Sequence, residues 1–184
     1  YELATGTNVE VVVSIPGERP HLRARKHDLE DAVAAVYPGP SGARVVVEAR
    51  GEIFSVPVEE GITRNLTRTS GVAERAPSWS PDGKWITYFS DRSGEYELTL
   101  RRSDGQGFEG ADEHGEKTLT KVGPGWKYRP TWAPDSERLA FSTNDGTLRM
   151  VVLETGEVKE IVVNPDGSPV TAAWAPDGSW LAWS

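Results

Sequence analysis

The sequence predicts an all-β fold made of β-propeller blades of four antiparallel strands, with about three full blades and two half blades. The first observation is a string that occurs three times in nearly the same form: Trp-Ser-Pro-Asp-Gly at 79–83, Trp-Ala-Pro-Asp-Ser at 132–136 and Trp-Ala-Pro-Asp-Gly at 174–178. The second is the composition, because 19 glycines and 13 prolines in 184 residues are typical of many short strands joined by tight turns.

The spacing of the repeat gives the length of a blade. Its marker is the proline of each turn, and successive markers are 41, 53 and 42 residues apart. These markers are Pro40, Pro81, Pro134 and Pro176. A period of roughly 40–50 residues is typical of propeller blades, and the longer interval predicts an insertion. We place this insertion at 106–116, as a polar, glycine-rich surface loop between two strands.

The elements of one blade follow from local patterns, taken in chain order. A tryptophan such as Trp79 ends the innermost strand, and Pro-Asp-Gly then forms a tight turn. The second strand alternates, so that Trp85 and Phe89 point to one face and Ile86 and Tyr88 to the other. Third strands are predicted at 52–56, 96–100 and 148–153, and an outer strand at 158–163.

The repeated tryptophans and aspartates have structural roles in this interpretation. Large rings that recur once per blade pack between neighbouring sheets, so Trp79, Trp132 and Trp174 are predicted to form inter-blade core. The aspartates of the same three strings are predicted to shape turns. That role disfavours a glycosidase, which would need a distinctive pair of carboxylates.

The remaining composition narrows the possible functions. The net charge is −8 and the basic residues cluster only at 19–27, so nucleic acid is not expected as a partner. No apolar segment is long enough to span a bilayer, so no membrane partner is expected. The sequence has no cysteine, no Gly-x-Ser-x-Gly motif and no zinc-ligand spacing. We therefore expect no catalytic residue, cofactor or metal site in this chain.

The chemically rich, non-repeating residues lie in the loops that lead into the innermost strands, at 69–75 and 123–129. In propellers, such loops surround the central channel. Arginines there can contact peptide carboxylates or carbonyls, whereas in a second interpretation they are solvated residues with local ion pairs. The candidates for peptide or channel binding are Glu74, Arg75, Trp126, Lys127, Tyr128 and Arg129.

The phase of the repeat at the two ends leaves two interpretations open. The segment 151–156 aligns with 1–6, so the sequence begins inside a third strand and finishes at the end of a second one. Between 15 and 35 the repeat lapses in a charged stretch with two prolines, typical of a crossing between domains. Either the two half blades close a small ring, or the chain is a window from a longer protein. Exposed strand edges in such a window favour dimerisation or domain swapping.

Several strings resemble the tricorn protease family. The most specific is Ala-Arg-Gly-Glu-Ile-Phe at 49–54, followed by Arg-Asn-Leu-Thr at 64–67. The stretches at 15–23, 71–75 and 79–98 are similar to the family as well, so the resemblance covers nearly the whole chain. TolB-type propellers share the blade motif. The sequence departs from the family's pattern in its longer insertion and in the Pro-Gly pair at 38–39, which replaces the Trp-Ser step of the first blade.

The resemblance implies a place within a larger serine peptidase. Tricorn-like proteins carry a six-bladed propeller, a seven-bladed propeller, and catalytic domains that flank a PDZ-like domain. They trim oligopeptides and assemble as hexamers. On that pattern, 1–14 ends a preceding propeller, 15–35 is the crossing or linker between propellers, and 36–184 forms the first three and a half blades of a second one.

This chain would then be a non-catalytic segment of a tricorn-like serine peptidase, gating or conducting oligopeptides and supporting assembly. The implied partners are peptides, the remaining domains of the parent peptidase and further copies in a homo-oligomer, in the cytoplasm. The alternative is a stand-alone binding or scaffold propeller, natural or engineered, that is closed from its two half blades.

Overall fold

The computed structural model describes residues 5–6 and 30–184. Apart from the Thr5–Gly6 turn, the predicted end of a preceding blade at 1–14 lies outside the described residues, as does the predicted crossing up to residue 29. A 3₁₀ turn at Glu30–Ala32 leads into the first strand. Everything that follows is β-strand and loop, in antiparallel sheets.

The strands form three four-stranded sheets and one two-stranded sheet, which we name blades A to D in chain order. Blade A comprises β1 (Val33–Pro38), β2 (Arg44–Ala49), β3 (Glu52–Pro57) and β4 (Arg64–Asn65). Blade B comprises β5 (Glu74–Trp79), β6 (Trp85–Ser90), β7 (Glu97–Arg102) and β8 (Glu116–Thr118). Blade C comprises β9 (Thr131–Trp132), β10 (Arg138–Ser142), β11 (Thr147–Val152) and β12 (Val158–Val163). Half blade D comprises β13 (Ala172–Trp174) and β14 (Leu181–Trp183).

Within every sheet the strand order follows the chain, and the first strands of neighbouring blades contact one another. Strand β5 contacts β1 and β9, and β9 contacts β13, so the first strands lie innermost. The all-β class and the four-stranded antiparallel blades are thus confirmed. The ends of the strands define two faces of the molecule. We call the one where each first strand begins the start face, and the one that carries the proline-containing turns the turn face.

The turns between first and second strands are built as the repeat predicts. The Gly83 amide donates to the Ser80 carbonyl at 2.9 Å, and the Asp82 carboxylate accepts the Lys84 amide at 3.0 Å. The same carboxylate bond forms at Asp135, with the Glu137 amide, and at Asp177, with the Ser179 amide. The turn-forming role of the repeated aspartates is therefore confirmed.

Neighbouring turns also touch one another along the turn face. A Cβ on Gly83 would come within 3.3 Å of Pro40 Cγ, so these two residues are in contact. The Ser136 hydroxyl accepts the Asp82 amide at 3.0 Å. Arg138 Nη2 donates to the Gly178 carbonyl at 2.9 Å. Ser136 has a φ of 61° where the turns of blades B and D have glycine, so this serine occupies the left-handed region.

Apolar side chains fill the spaces between blades. Between B and C, the largest cluster holds Phe89, Leu98, Leu139 and Trp132, with Phe89 and Phe141 edge to face at 5.5 Å. Ile86 and Tyr88 point the other way, into a cluster with Val46 and Ile53 of blade A. This split confirms the alternation predicted for the second strand.

The repeated tryptophans lie between blades, as predicted. Trp79 packs against the cluster shared by A and B, and Trp132 belongs to the one shared by B and C. Trp174 packs against blade C and donates its indole N–H to the Thr131 carbonyl at 3.1 Å. In blade A, Gly39 takes part in the usual turn but leaves room for its neighbour, because a Cβ there would lie 3.2 Å from the Trp79 ring.

One ion pair is buried between blades A and B. Arg101 Nη1 lies 3.4 Å from Glu116 Oε1 and also donates to the Leu66 carbonyl of blade A. Arg92 Nη2 pairs with the other oxygen of Glu116 at 2.9 Å. The Arg101 and Glu116 side chains are only 8% and 3% exposed, so water does little to screen this pair.

The insertion is a loop between β7 and β8, as predicted, but it is one residue shorter at its end. Glu116, placed in the loop by the sequence analysis, begins β8 and is buried by its two arginine partners. Phe108 folds back from the loop onto Trp85, with ring centroids 4.9 Å apart. The loop therefore packs against blade B and adds a wall to the turn face.

Candidate functional site

The candidate residues come together near the start face of blades B and C. Glu74 and Arg75 are the first residues of β5, so they belong to the strand and not to the loop in which the sequence analysis placed them. Lys127 pairs with Thr143 of blade C as an isolated bridge. Trp126, Tyr128 and Arg129 flank it, and together these residues lead the chain towards β9.

Arg75 joins blade B to the loop of blade C. Its guanidinium carbon lies 3.5 Å from the Trp126 ring centroid and 4.5 Å from that of Tyr96. Its Nη2 donates to the Lys127 carbonyl at 2.8 Å. Burial lowers the pKa of Arg75, but an arginine still carries its charge at neutral pH. Arg75 therefore supports Trp126 from below through a cation–π contact, whereas Trp126 itself is 50% exposed.

Lys127 is fully buried and faces the loop that precedes it. Its ammonium donates to the Gly123 carbonyl, and burial lowers its pKa. The same loop is held from the other side by Glu97, which accepts the amides of Val122 at 3.1 Å and Gly123 at 2.9 Å. Lys127 and Glu97 thus position the loop that carries Trp126.

Glu74 is also buried, and it faces blade A. The Thr69 hydroxyl donates to its Oε1 at 2.6 Å, whereas Oε2 has no hydrogen-bond partner among the described residues. Burial raises the pKa of this carboxyl group. Glu74 therefore does not share a surface with Trp126, and its effect on the site is exerted through the strand that also carries Arg75.

We expect Glu74→Gln to be more stable than the wild type at pH 8 and to lose that advantage at pH 4. The raised pKa means that the native state binds a proton more tightly than the unfolded chain, so wild-type stability falls as the pH rises through the native pKa. Glutamine keeps the acceptor for Thr69 but carries no charge. Urea unfolding at both pH values measures the difference, with the exposed Glu60→Gln as control. Equal stabilities of Glu74→Gln and wild type at pH 8 would contradict the prediction.

Arg129 and Tyr128 are also exposed. The Arg129 guanidinium lies 3.7 Å from the ring centroid of Tyr37, which belongs to β1 of blade A. Its Nε approaches the Pro77 carbonyl of β5 at 3.4 Å. Arg129 therefore reaches across the innermost strands of three blades. With Tyr128 it lines a cavity of about 420 Å³, bordered on the far side by Val170 of the segment before β13.

Two residues of this site, Tyr96 and Glu97, are not predicted from the sequence. Tyr96 follows a hairpin glycine, and Glu97 has the unremarkable context of a predicted strand. Neither belongs to the loops on which the analysis concentrated. No group of three or more histidine, cysteine, aspartate or glutamate side chains within 5–6 and 30–184 is placed to hold a metal ion. No helix in the same ranges is long and apolar enough to cross a bilayer.

Comparison with known proteins links these blades to two groups. No protein-family model matches the chain. Tricorn protease homolog 1 from Streptomyces coelicolor is 32% identical over 140 residues, which are 75% of this chain and 13% of that protein. This chain is a tricorn-like propeller segment.

The tricorn-like chain is also similar to TolB. The Tol-Pal system protein TolB from Anaeromyxobacter sp. is 27% identical over 156 residues, covering 80% of this chain and 33% of that protein. The crystal structure of TolB from Acinetobacter baumannii superimposes with a TM-score of 0.63 and 18% identity, over 82% of this chain and 37% of the other. That structural likeness shows the propeller fold alone. The tricorn-like chain spans well under half the length of each of these proteins.

Proposed function

We propose that this chain is a non-catalytic propeller segment of a tricorn-like serine peptidase, and that it gates or conducts oligopeptides. Its partners would be peptides and the remaining domains of the peptidase, within a homo-oligomer in the cytoplasm. The sequence likeness to a tricorn protease homologue supports the parent class. The arrangement of Trp126, Tyr128 and Arg129 beside the innermost strands supports the role in handling peptides.

The observation that carries the proposal is the reach of Arg129 across the first strands. Its guanidinium stacks on Tyr37 of blade A although the residue itself belongs to the loop of blade C. Its Nε is directed at the Pro77 carbonyl, and the remaining donors of the guanidinium can bind a carboxylate or a carbonyl of a passing chain. The exposed rings of Trp126 and Tyr128 in the same loop offer apolar contact.

The six candidates therefore divide into two roles in this proposal. Trp126, Tyr128 and Arg129 are exposed and would contact the peptide. The other three hold these groups in place: Arg75 beneath the indole, Lys127 inside the loop, and Glu74 at the start of β5. Because Glu74 and Lys127 are buried, neither would touch a peptide directly.

Binding of a fluorescein-labelled Gly-Ala-Leu-Ala peptide with a free C-terminus tests the role of Arg129. We expect Arg129→Gln to weaken binding by about fivefold to tenfold, because one charge-assisted contact is lost. Arg102→Gln is the matched control, since Arg102 lies on the turn face, its side chain is 39% exposed and it pairs with Asp104. Fluorescence anisotropy measures both affinities.

Three outcomes would contradict the proposal. Unchanged affinity of Arg129→Gln would remove this residue from peptide binding, and equal binding of the C-terminally amidated peptide would remove carboxylate recognition. Hydrolysis of the peptide by the pure 184-residue chain would contradict its non-catalytic role. The same samples serve for all three measurements.

A further inference from the structure

The insertion of blade B builds a groove on the turn face, which we call the insertion groove. It has a volume of about 490 Å³ and lies between blades B and C. Apolar side chains form one part of its lining, namely Trp85, Leu100, Phe108 and Leu153. Charged side chains form the rest of its rim, namely Glu109, Lys117, Glu137 and Glu154.

The groove lies at the opposite ends of the strands from the candidate peptide site. Trp85 begins β6 and pairs with Arg102 at the end of β7, directly beside the insertion. Arg138 pairs with Val152 at the corresponding end of blade C, next to Glu137 and Leu153. A ligand in the insertion groove would therefore not compete with one at Arg129.

The apolar floor of the groove is held in place by packing. Phe108 stands edge to face against Trp85, at an interplanar angle of 75°. Both rings, with Leu153, pack against the cluster shared by blades B and C. This floor is preformed because it packs on the buried core. The volume of the groove falls within the range of about 300–1,000 Å³ typical of ligand sites.

The rim is acidic and unpaired. Glu109, Glu137 and Glu154 are exposed, and none has an ion-pair partner among the residues that the structure describes. Lys117 is the one basic residue in the lining. The groove therefore has two negative charges in excess next to an apolar floor, so it complements a ligand that combines an apolar side chain with positive charge.

We propose that the insertion groove binds an extended peptide segment of a partner protein, in which an apolar side chain is flanked by arginine or lysine. The apolar side chain packs between Phe108 and Leu153, and the flanking cations pair with Glu137 and Glu154. Charge complementarity selects this class over an acidic segment, which the three carboxylates repel. The site depends on the insertion, so a propeller blade without that loop lacks it.

Anisotropy titration with three end-blocked, labelled peptides tests the proposal on the full chain. The probe is Gly-Arg-Leu-Arg-Gly, and its two counterparts are Gly-Glu-Leu-Glu-Gly and Gly-Arg-Ser-Arg-Gly. We expect the probe to bind most tightly. Its affinity should fall as salt is raised, because exposed charge pairs are screened.

Two variants separate the floor from the rim. Phe108→Ala should weaken probe binding about tenfold, since an aromatic anchor is removed. Glu137→Gln with Glu154→Gln should weaken it about threefold to tenfold and should reduce the salt dependence. The matched controls are Trp180→Ala, an exposed ring elsewhere, and Glu113→Gln, a carboxylate of the same insertion outside the groove. Neither control should change the affinity.

Three results would overturn the proposal: no binding of the probe, equal binding of the acidic peptide, or unchanged affinity in the double glutamine variant. The double variant alters only exposed groups, so it remains informative even where Phe108→Ala disturbs the loop. Arg129→Gln should leave probe binding intact, which distinguishes failure of this proposal from failure of the peptide site at the start face.

Discussion

Phe89→Ala is expected to lower the free energy of unfolding by about 3–5 kcal/mol. Phe89 is fully buried in the cluster between blades B and C, and it meets Phe141 edge to face. Truncation to alanine removes apolar surface from the core and leaves a cavity that two rigid sheets cannot close. Urea unfolding followed by circular dichroism measures the loss.

The control for this prediction is Trp180→Ala. Trp180 is 76% exposed, so its loss should change stability by no more than about 0.5 kcal/mol. A double-mutant cycle with Phe141→Ala isolates the contact between the two rings. If Phe89→Ala and Trp180→Ala proved equally stable, the B–C cluster could not be the core that joins these blades.

Arg101→Met is expected to lower the free energy of unfolding by about 3 kcal/mol, near the low end for broken buried pairs. The variant leaves Glu116 with Arg92 as its remaining partner and deprives the Leu66 carbonyl of a donor. Methionine fills similar space but offers no hydrogen bond. The loss is therefore electrostatic in origin, and urea unfolding reports it directly.

The neighbouring residue supplies a matched control. The Arg102 side chain is 39% exposed and pairs with Asp104 at 2.6 Å, so Arg102→Met should lower the free energy of unfolding much less than Arg101→Met. Adding Glu116→Gln to Arg101→Met should recover part of the loss, because the buried carboxylate, which then has only Arg92 as its partner, is replaced by a neutral amide. Equal losses for the two arginine variants would show that the pair between blades A and B does not stabilise the fold.

The blade architecture could be predicted because its signals are local and repeated. The turn residues act on their own backbone, as the Asp82 carboxylate does on the Lys84 amide, and so they keep their meaning in every copy. Alternation along β6 likewise fixed which side chains face each neighbouring blade, and Phe89 and Ile86 point to opposite clusters as expected.

The candidate site was harder to predict because its burial depends on contacts distant in sequence. Lys127 and Glu74 are 53 residues apart, which is the spacing of the turn prolines in these two blades. The two residues thus occupy the same place in successive blades: Glu74 pairs with Ser90 at the end of β6, and Lys127 pairs with Thr143 directly after β10. A lysine and a glutamate do not resemble one another, so the two positions look non-repeating in the sequence. Their shared position in the repeat, and not their residue type, indicates that both side chains are buried.

The insertion groove could not be predicted for a related reason. Phe108 lies in a glycine-rich polar loop, and only the fold brings it to Trp85 and to Leu153 of the next blade. Neither hydrophobic periodicity nor a motif predicts the contact between these three side chains, because the contact depends on the path of the loop over the sheet.

The contacts between turns on the turn face bear on the order in which the blades dock during folding. Blades of nearly identical sequence are prone to dock in the wrong order or onto a second chain. Two of the junctions differ in their hydrogen bonds: between blades B and C a serine hydroxyl accepts an amide, and between C and D a guanidinium donates to a carbonyl. A proline ring lies near the turn glycine of the next blade at both A–B and C–D. A blade displaced by one position would meet the wrong partner at its turn. The hydrogen bonds at the turns are therefore specific to particular pairs of blades, and a misordered assembly would lose them.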